Sequence, residues 1–485
     1  LVKRLYPAAV RFIWALLLLV MPLTSFPLAS RIIGSTMVAP ASGLVLAVLL
    51  VAWFLPYLWR RGSLPRQILP LLGFFAAALV GVLVAYFTPH PAFREVAQWR
   101  TNLEALLTLV MGIAFYLVAS SWARSRADLG FSLRWLNWGG LVLVGWTLLQ
   151  GAVWHSTHVY PDWLNAAQHW FSSSILFPDR MTGLAYEPSW LAHQLNMAYL
   201  PFWLAATARG YSAHRFRIWK ITFENVLLAG GIVALLLSVS RVGMVAFLLM
   251  VALLAVFANL ALLRWLENRL LTGRRGRRRL RLVMTLVLLL AYLALLAGVG
   301  YGFSRFDRRM AKIFDLTVLK TQGVVYYANQ LVFAERVVFW EAGYRIFNDH
   351  PLLGVGLGNA GYYFPRALSS FSWNLTEVRR AMYEWTTLPN VKSLWVRLLS
   401  ETGIIGFAFF IGWCALVWQS ARFLWSQPGK MARAVGLAGG FTLVGLLAEG
   451  FSVDTFALPY VWVSLGLVTA ACELARCSPG ELSKM

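Results

Sequence analysis

The sequence predicts an all-α polytopic membrane protein of about 12 transmembrane helices, with a long polar loop folded as a helical cap between helices 9 and 10. Three observations predict it. Of 485 residues, 59% are hydrophobic and 13% charged, whereas a soluble domain carries about 25% charged residues. Apolar runs of about 20 residues recur along the chain, each long enough to cross the hydrocarbon layer. The basic residues cluster in alternate loops, the pattern that orients a protein in a membrane. Mean hydropathy is +0.64, and 23 Trp and 31 Phe suit a chain with long membrane interfaces.

The first apolar run, at about 9–28, follows Lys3 and Arg4. Its Phe-Pro-Leu-Ala-Ser end could mimic a cleavage site, but the many later runs favour an uncleaved first helix. Runs follow at about 38–58, 67–88, 103–122 and 135–154. Arg60, Arg61 and Arg66 separate the second from the third, and Arg124, Arg126 and Arg134 follow the fourth. A loop of about 30 residues, 155–187, carries Trp163 and Trp170 to seat it at the interface. The sixth run spans about 189–208, and Arg209, Arg215, Arg217 and Lys220 follow it. The seventh spans about 223–239, and a tight turn, Ser240-Arg241-Val242-Gly243, leads straight into the eighth. After the eighth come Arg264 and the densest basic run, 274–279, read as a topology anchor on anionic headgroups. The ninth run spans about 282–303.

The domain division follows: helices 1–9 in residues 1–303, the cap in 304–392, and helices 10–12 with the C-terminus in 393–485. The last three runs are at about 404–424, 434–452 and 456–475. Nearly all arginine clusters fall on one side, which places both termini in the cytoplasm. The 155–187 loop, the Arg241 turn, the cap and the turn at 449–454 then share the opposite face.

The formal net charge of +23 does not imply nucleic-acid binding, because the charge lies in short loops beside membrane lipid. Cys414, Cys472 and Cys477 lack metal-ligand spacing and suggest no disulfide framework. No metal-ligand set and no nucleotide motif is present, so an enzyme built on this chain would need a preactivated substrate and no cofactor.

The candidate chemistry lies on the outer face. Arg241 occupies a turn between two apolar runs, where a guanidinium must reach water or a partner. Its planar fork suits a phosphate or diphosphate, and snorkelling to headgroups is the structural alternative. Arg336 sits in a helical pattern with Val332, Phe333, Phe339, Trp340 and Tyr344, where an ion pair with Glu335 or Glu341 is the alternative. Arg180 and Glu187 precede the sixth run, and Glu187 could serve as a helix cap. Glu449 is an acidic residue at membrane depth, a functional candidate by position. His350 precedes Pro351 in a turn and could simply order the backbone. Gly354, Gly356 and Gly358 look like a phosphate-cradling loop but lack a Walker lysine.

In order, these segments resemble the O-antigen ligase and O-antigen polymerase superfamily of bacterial envelope glycan assembly. The matching pieces are Arg180-Met181-Thr182-Gly183, Glu187-Pro188-Ser189-Trp190-Leu191-Ala192 and Ser238-Val239-Ser240-Arg241-Val242-Gly243. Arg336 with Trp340, His350-Pro351-Leu352-Leu353-Gly354-Val355-Gly356-Leu357-Gly358-Asn359, and Glu401-Thr402-Gly403-Ile404-Ile405-Gly406 complete the set. The resemblance implies a multi-pass protein of the bacterial inner membrane with its active site facing the periplasm. It implies an undecaprenyl-diphosphate-linked glycan as donor and acceptor, and metal-independent glycosyl transfer. Flippase and chain-length regulator proteins would be its partners. Arg241 and Arg336 would hold the diphosphate, with Arg180 as a further contact.

Ligases of the family typically carry a histidine shortly before the Glu-x-Gly segment. Here Leu388-Pro389-Asn390-Val391-Lys392-Ser393-Leu394-Trp395 has none, and Lys392 is the nearest counterpart, as base or as a further diphosphate contact. The stretch around Tyr186-Glu187-Pro188-Ser189 is more similar to the polymerases. Polymerisation of lipid-linked repeat units is therefore the expected activity, ahead of ligation to lipid A core or protein, and ahead of lipid or solute transport. Glu187 is the favoured base, before His350, with proton uptake by the departing diphosphate as the remaining alternative; Lys392 suits a cation's duty better than a base's.

Overall fold

The computed structural model describes residues 2–34, 37–270, 316–331 and 333–477, with 279, 282–287, 290, 291, 294 and 298 between them. Most of the ninth run and the basic run at 274–278 lie outside the described residues. The protein is mostly helical, and its only named strands form a two-stranded hairpin, Arg217–Ile218 with Ile221–Thr222, among the described residues. Eight described helices are long and apolar enough to cross a membrane: Ala41–Trp59, Arg66–Phe87, Gln98–Trp122, Arg126–Thr157, Arg241–Leu262, Leu394–Trp425, Lys430–Glu449 and Pro459–Cys477. Tyr6–Val20 and Phe223–Leu237 are shorter apolar helices. The chain is therefore an all-α, multi-pass membrane protein.

Several boundaries differ from the hydropathy reading. The first helix stops at Val20, and a short helix, Pro27–Ile33, follows. The sixth run is one helical path of three pieces, Pro188–Gln194, a wide π turn at Leu195–Tyr199, and Leu200–Arg209. It is missing from the eight because His193, Gln194 and Asn196 dilute its apolar character. The tenth run begins at Leu394, ten residues before the apolar run starts, because an amphipathic first segment precedes a break at Gly403, whose φ is 61°.

The residues divide into two compact units. The first comprises Leu1–Ala246, Phe339–Ala367 and Thr386–Met485. In it Pro459–Cys477 packs along Gln98–Trp122, and Lys430–Glu449 packs against both Leu200–Arg209 and Leu394–Trp425. Lipid offers apolar chains no hydrophobic gain for associating, so such helices pack by close contact of small residues. A Cβ on Gly466 would lie 2.6 Å from the Ala119 Cβ, and one on Gly445 would lie 2.3 Å from the Asn196 carbonyl oxygen. Aromatic rings fill the remaining interior, with Trp413 stacked on Trp462 at 5.1 Å and Trp14 on Trp122 at 5.3 Å.

The second unit comprises Phe247–Val338 and Leu368–Trp385. Its helix Leu316–Leu331 is broken at Gly323, and Asn329 ties it to the helix Thr376–Tyr383. The Asn329 side chain accepts from the Thr376 N–H at 3.0 Å and donates to the Asn374 carbonyl at 3.4 Å. Glu335 accepts from the Glu377 N–H at 3.2 Å.

Candidate active site

Three helices of the first unit begin at residues singled out by sequence. Pro188 starts one, with Glu187 at its N-cap, Arg241 starts a second, and Leu394 starts a third two residues after Lys392, with Ser393 at its N-cap. Helix N-termini present unpaired N–H groups and the positive end of the helix dipole, which favours anions.

The first two starts are bonded together. Met181 N–H donates to the Leu237 carbonyl at 2.9 Å, and Arg180 Nε donates to the Ser238 carbonyl at 3.4 Å. The motif containing Arg180 and Glu187 is thereby fixed to the turn that carries Arg241. Deeper in, Asn196 Nδ2 donates at 2.7 Å to the Gly243 carbonyl and at 2.7 Å to Glu449 Oε1. His193 Nε2 lies 3.4 Å from Glu449 Oε2, and both side chains are fully buried. The Tyr460 ring, also buried, is within electrostatic reach of both Glu449 and Glu187.

The third start joins at the end of the same helix. Leu394 N–H donates to the Gly450 carbonyl at 2.7 Å, and Ser393 Oγ donates to that oxygen at 3.2 Å. Trp395 Nε1 donates to the Leu447 carbonyl at 3.0 Å. Phe339 lies under the Lys392 ammonium at 5.0 Å, and Trp340 meets Phe451 at 5.5 Å between ring centroids. The segment Glu449-Gly450 is thus bonded to the start of the Leu394 helix and to Asn196, which also holds Gly243 of the Arg241 helix.

Left-handed backbone marks these places. Asp179, beside Arg180, has φ 60°, Val239, two residues before Arg241, has φ 50°, and Lys392 itself has φ 57°. A positive φ is a true outlier for a β-branched residue such as valine. Strained backbone of this kind costs about 1–3 kcal/mol and persists only where surrounding contacts impose it.

Glu187 occupies the N-cap position, yet its side chain makes no capping bond. Its carboxylate accepts from the Ser189 hydroxyl instead. The carboxylate is half-buried, and beside it the Tyr186 phenol is pushed up from its ordinary value, first by burial and then by the Glu187 charge.

His350 is placed elsewhere. It is exposed, sits edge-on to Tyr363 at 5.5 Å, and accepts through its carbonyl from the Gly354 N–H at 3.1 Å. The glycine segment after it is a clasp. Val355 N–H donates to the Ser400 carbonyl at 2.9 Å and Gly358 N–H to Glu401 Oε2 at 2.9 Å. Ile404 N–H donates back to the Pro351 carbonyl at 2.8 Å. A phosphate cradle would need such donors free, so this loop is a structural lock. Glycine is required for two reasons: Gly354 has φ 66°, and a Cβ there would sit 2.5 Å from the Ser400 carbonyl oxygen. Glu401 also accepts from Arg397 Nε at 2.8 Å, and both side chains are largely buried.

Arg336 lies in the second unit, on the helix Ala334–Asp349 that the sequence periodicity indicates, one turn before Trp340. Among the described residues no three of His, Cys, Asp and Glu gather as a metal-ligating group. Sequence reasoning named Glu449 but missed its partners. The available signal was the polarity of His193 and Asn196 inside an apolar run.

Comparison with known proteins gives one family. No curated protein matches the chain. Residues 226–411 match the family described as O-Antigen ligase, a stretch that contains Arg241, Arg336, His350, Lys392 and Glu401 and leaves out Arg180, Glu187 and Glu449. The matched stretch includes the motifs from Ser238 to Gly406, and this central region is similar to that family.

Proposed function

We propose that the protein is a glycosyltransferase acting at the periplasmic face of the bacterial inner membrane, where it polymerises undecaprenyl-diphosphate-linked repeat units. The observation that carries this reading is a bonded chain of helix starts: the Arg180–Glu187 motif is bonded to the Arg241 turn, Asn196 links the Arg241 helix to Glu449, and Gly450 holds the start that follows Lys392. Positive helix ends and guanidinium groups suit a lipid diphosphate. In this reading Arg241, Arg180 and Lys392 bind the diphosphate, and the resemblance gives Arg336 the same role. The cap, residues 304–392, and the count of about 12 helices belong to the same reading.

The reaction joins a sugar hydroxyl of one lipid-linked unit to the anomeric carbon of the growing chain. The bond from that carbon to the diphosphate oxygen breaks as the new glycosidic bond forms. The cations stabilise negative charge as it builds on the departing diphosphate. Glu187 accepts the hydroxyl proton: it is half-buried, its carboxylate is not engaged as a helix cap, and general-base help contributes about 10² to 10⁴ in rate. His350, exposed on the clasp, and Lys392 are the lesser candidates.

A second reading, ligation of a finished glycan to lipid A core or to protein, is equally compatible with the family match. Incubating purified protein with a lipid-diphosphate repeat unit separates them. A ladder of longer products supports polymerisation. A single transfer that needs an added acceptor supports ligation. Absence of turnover with both refutes the enzyme reading and returns transport, for which the buried His193–Glu449 pair would then be the place to look.

A further inference from the structure

A buried acid with a histidine is a costly thing to place among membrane helices. Glu449 and His193 are both fully buried and 3.4 Å apart. Desolvation of such a pair offsets most of its attraction, and well-packed apolar residues are often as stabilising or more so. Stability alone gives this cluster little reason to exist. Its hydrogen bonds point to another role. Asn196 donates to Glu449 and, with its other N–H, to the Gly243 carbonyl, two residues into the helix that Arg241 begins. The next residue after Glu449, Gly450, accepts from Leu394 N–H and Ser393 Oγ, immediately after Lys392. The π turn at Leu195–Tyr199 includes Asn196, and such widened turns are frequent at functional sites. Close packing leaves the arrangement no slack, because a Cβ on Gly243 would lie 2.5 Å from the Ala192 Cβ.

We propose that Asn196, Glu449 and His193 form a buried positioning network that sets the spacing between the Arg241 turn and the Lys392 turn, so that both cations engage one diphosphate. The inference rests on the diphosphate reading above. The network touches no substrate and acts through the backbone of the two turns. Glu449 holds Asn196, Asn196 holds the Arg241 helix start, and the residue after Glu449 holds the start that follows Lys392.

The test is a binding cycle on the full-length protein in nanodiscs, with radiolabelled undecaprenyl diphosphate as probe and no turnover required. Wild type, Arg241→Lys, Asn196→Leu and the double variant are compared. Asn196→Leu keeps the branched side-chain shape and removes both hydrogen bonds, and is expected to weaken binding roughly tenfold. Because both changes act on one contact, the double variant should bind no more than about threefold more weakly than Arg241→Lys alone. Glu449→Gln keeps an acceptor for Asn196 and should bind better than Glu449→Leu, which lacks one. This pair also completes the cycle if Asn196→Leu does not fold. Leu447→Ala, exposed on the same helix, should leave affinity unchanged. Additive losses, or wild-type affinity in folded Asn196→Leu, overturn the network while leaving the diphosphate reading standing. A wild-type protein that does not bind the probe overturns both.

Discussion

Removing the Glu401 carboxylate is expected to cost the fold heavily. In Glu401→Ala the Arg397 guanidinium keeps its acceptor on the Asp454 carbonyl and the more weakly acting Asp454 charge, but loses the bonded carboxylate that balances it most. Breaking one side of a buried pair costs about 3–5 kcal/mol. The Gly358 N–H loses its acceptor at the same time, which loosens the clasp between the His350 loop and the helix Leu394–Trp425. Taking roughly 2 °C per kcal/mol for a large chain, the melting temperature should fall by about 6–10 °C. Glu401→Gln retains an oxygen for Gly358 and should fall by less. The measurement is intrinsic tryptophan fluorescence on heating in detergent, with wild type in parallel. A Glu401→Ala protein that melts within about 2 °C of wild type would refute the assignment of Glu401 as the lock.

Further outcomes follow from the same geometry. Gly403→Ala should destabilise strongly, because a Cβ would meet the Leu352 carbonyl oxygen at 2.2 Å and φ is 61°; chemical denaturation that matches wild type would contradict this. Arg241→Lys keeps the charge but loses the two-pronged fork, so turnover should drop roughly ten- to hundredfold at normal expression, and an unaltered rate would rule out a diphosphate role. Glu187→Gln should keep donor affinity and lose turnover; full turnover would remove Glu187 as base. Cysteines placed at Ile175 and Ser370, both exposed, should react with an impermeant reagent on intact cells, and one at Trp219 should not; the reverse pattern would invert the topology. His214 is held below the ordinary histidine value, first by burial and then by Arg134, with Glu224 opposing. The unfolded chain therefore takes up a proton before the folded one as pH falls. Its contribution to stability is full above about pH 6.5 and is lost as pH falls through the folded value. An NMR titration midpoint above the unfolded value would reverse the sign.

Much of the architecture is legible in the sequence because lipid imposes a blunt rule. Every spanning segment must be a long apolar helix, and arginines in alternate loops count the crossings. The rule loses resolution where helices bury polar residues against each other. Residues 188–209 fall below the hydropathy of their neighbours because of His193, Gln194 and Asn196, two of which, His193 and Asn196, meet Glu449. The Leu394 helix start is hidden for a similar reason, since Arg397 and Glu401 satisfy one another and let a charged segment lie inside. The glycine pattern after His350 resembles a phosphate loop because both uses need positive φ and close backbone approach. Only the location of the hydrogen-bond acceptors separates a lock from a cradle.

The left-handed residues beside the cations have a consequence for how this protein tolerates change. A Val239→Gly substitution would relieve the backbone at φ 50°, and that relief roughly balances the added flexibility of the unfolded chain. By heat alone such a variant would look neutral. It would nonetheless free the turn ahead of Arg241 to sample other shapes. The protein would then trade rigidity for nothing visible in a melting curve, and the loss would surface only as weaker discrimination between substrates. Under the proposed glycosyl transfer, selection for altered substrate preference has its most accessible entry at Val239, where the fold neither gains nor loses by the exchange.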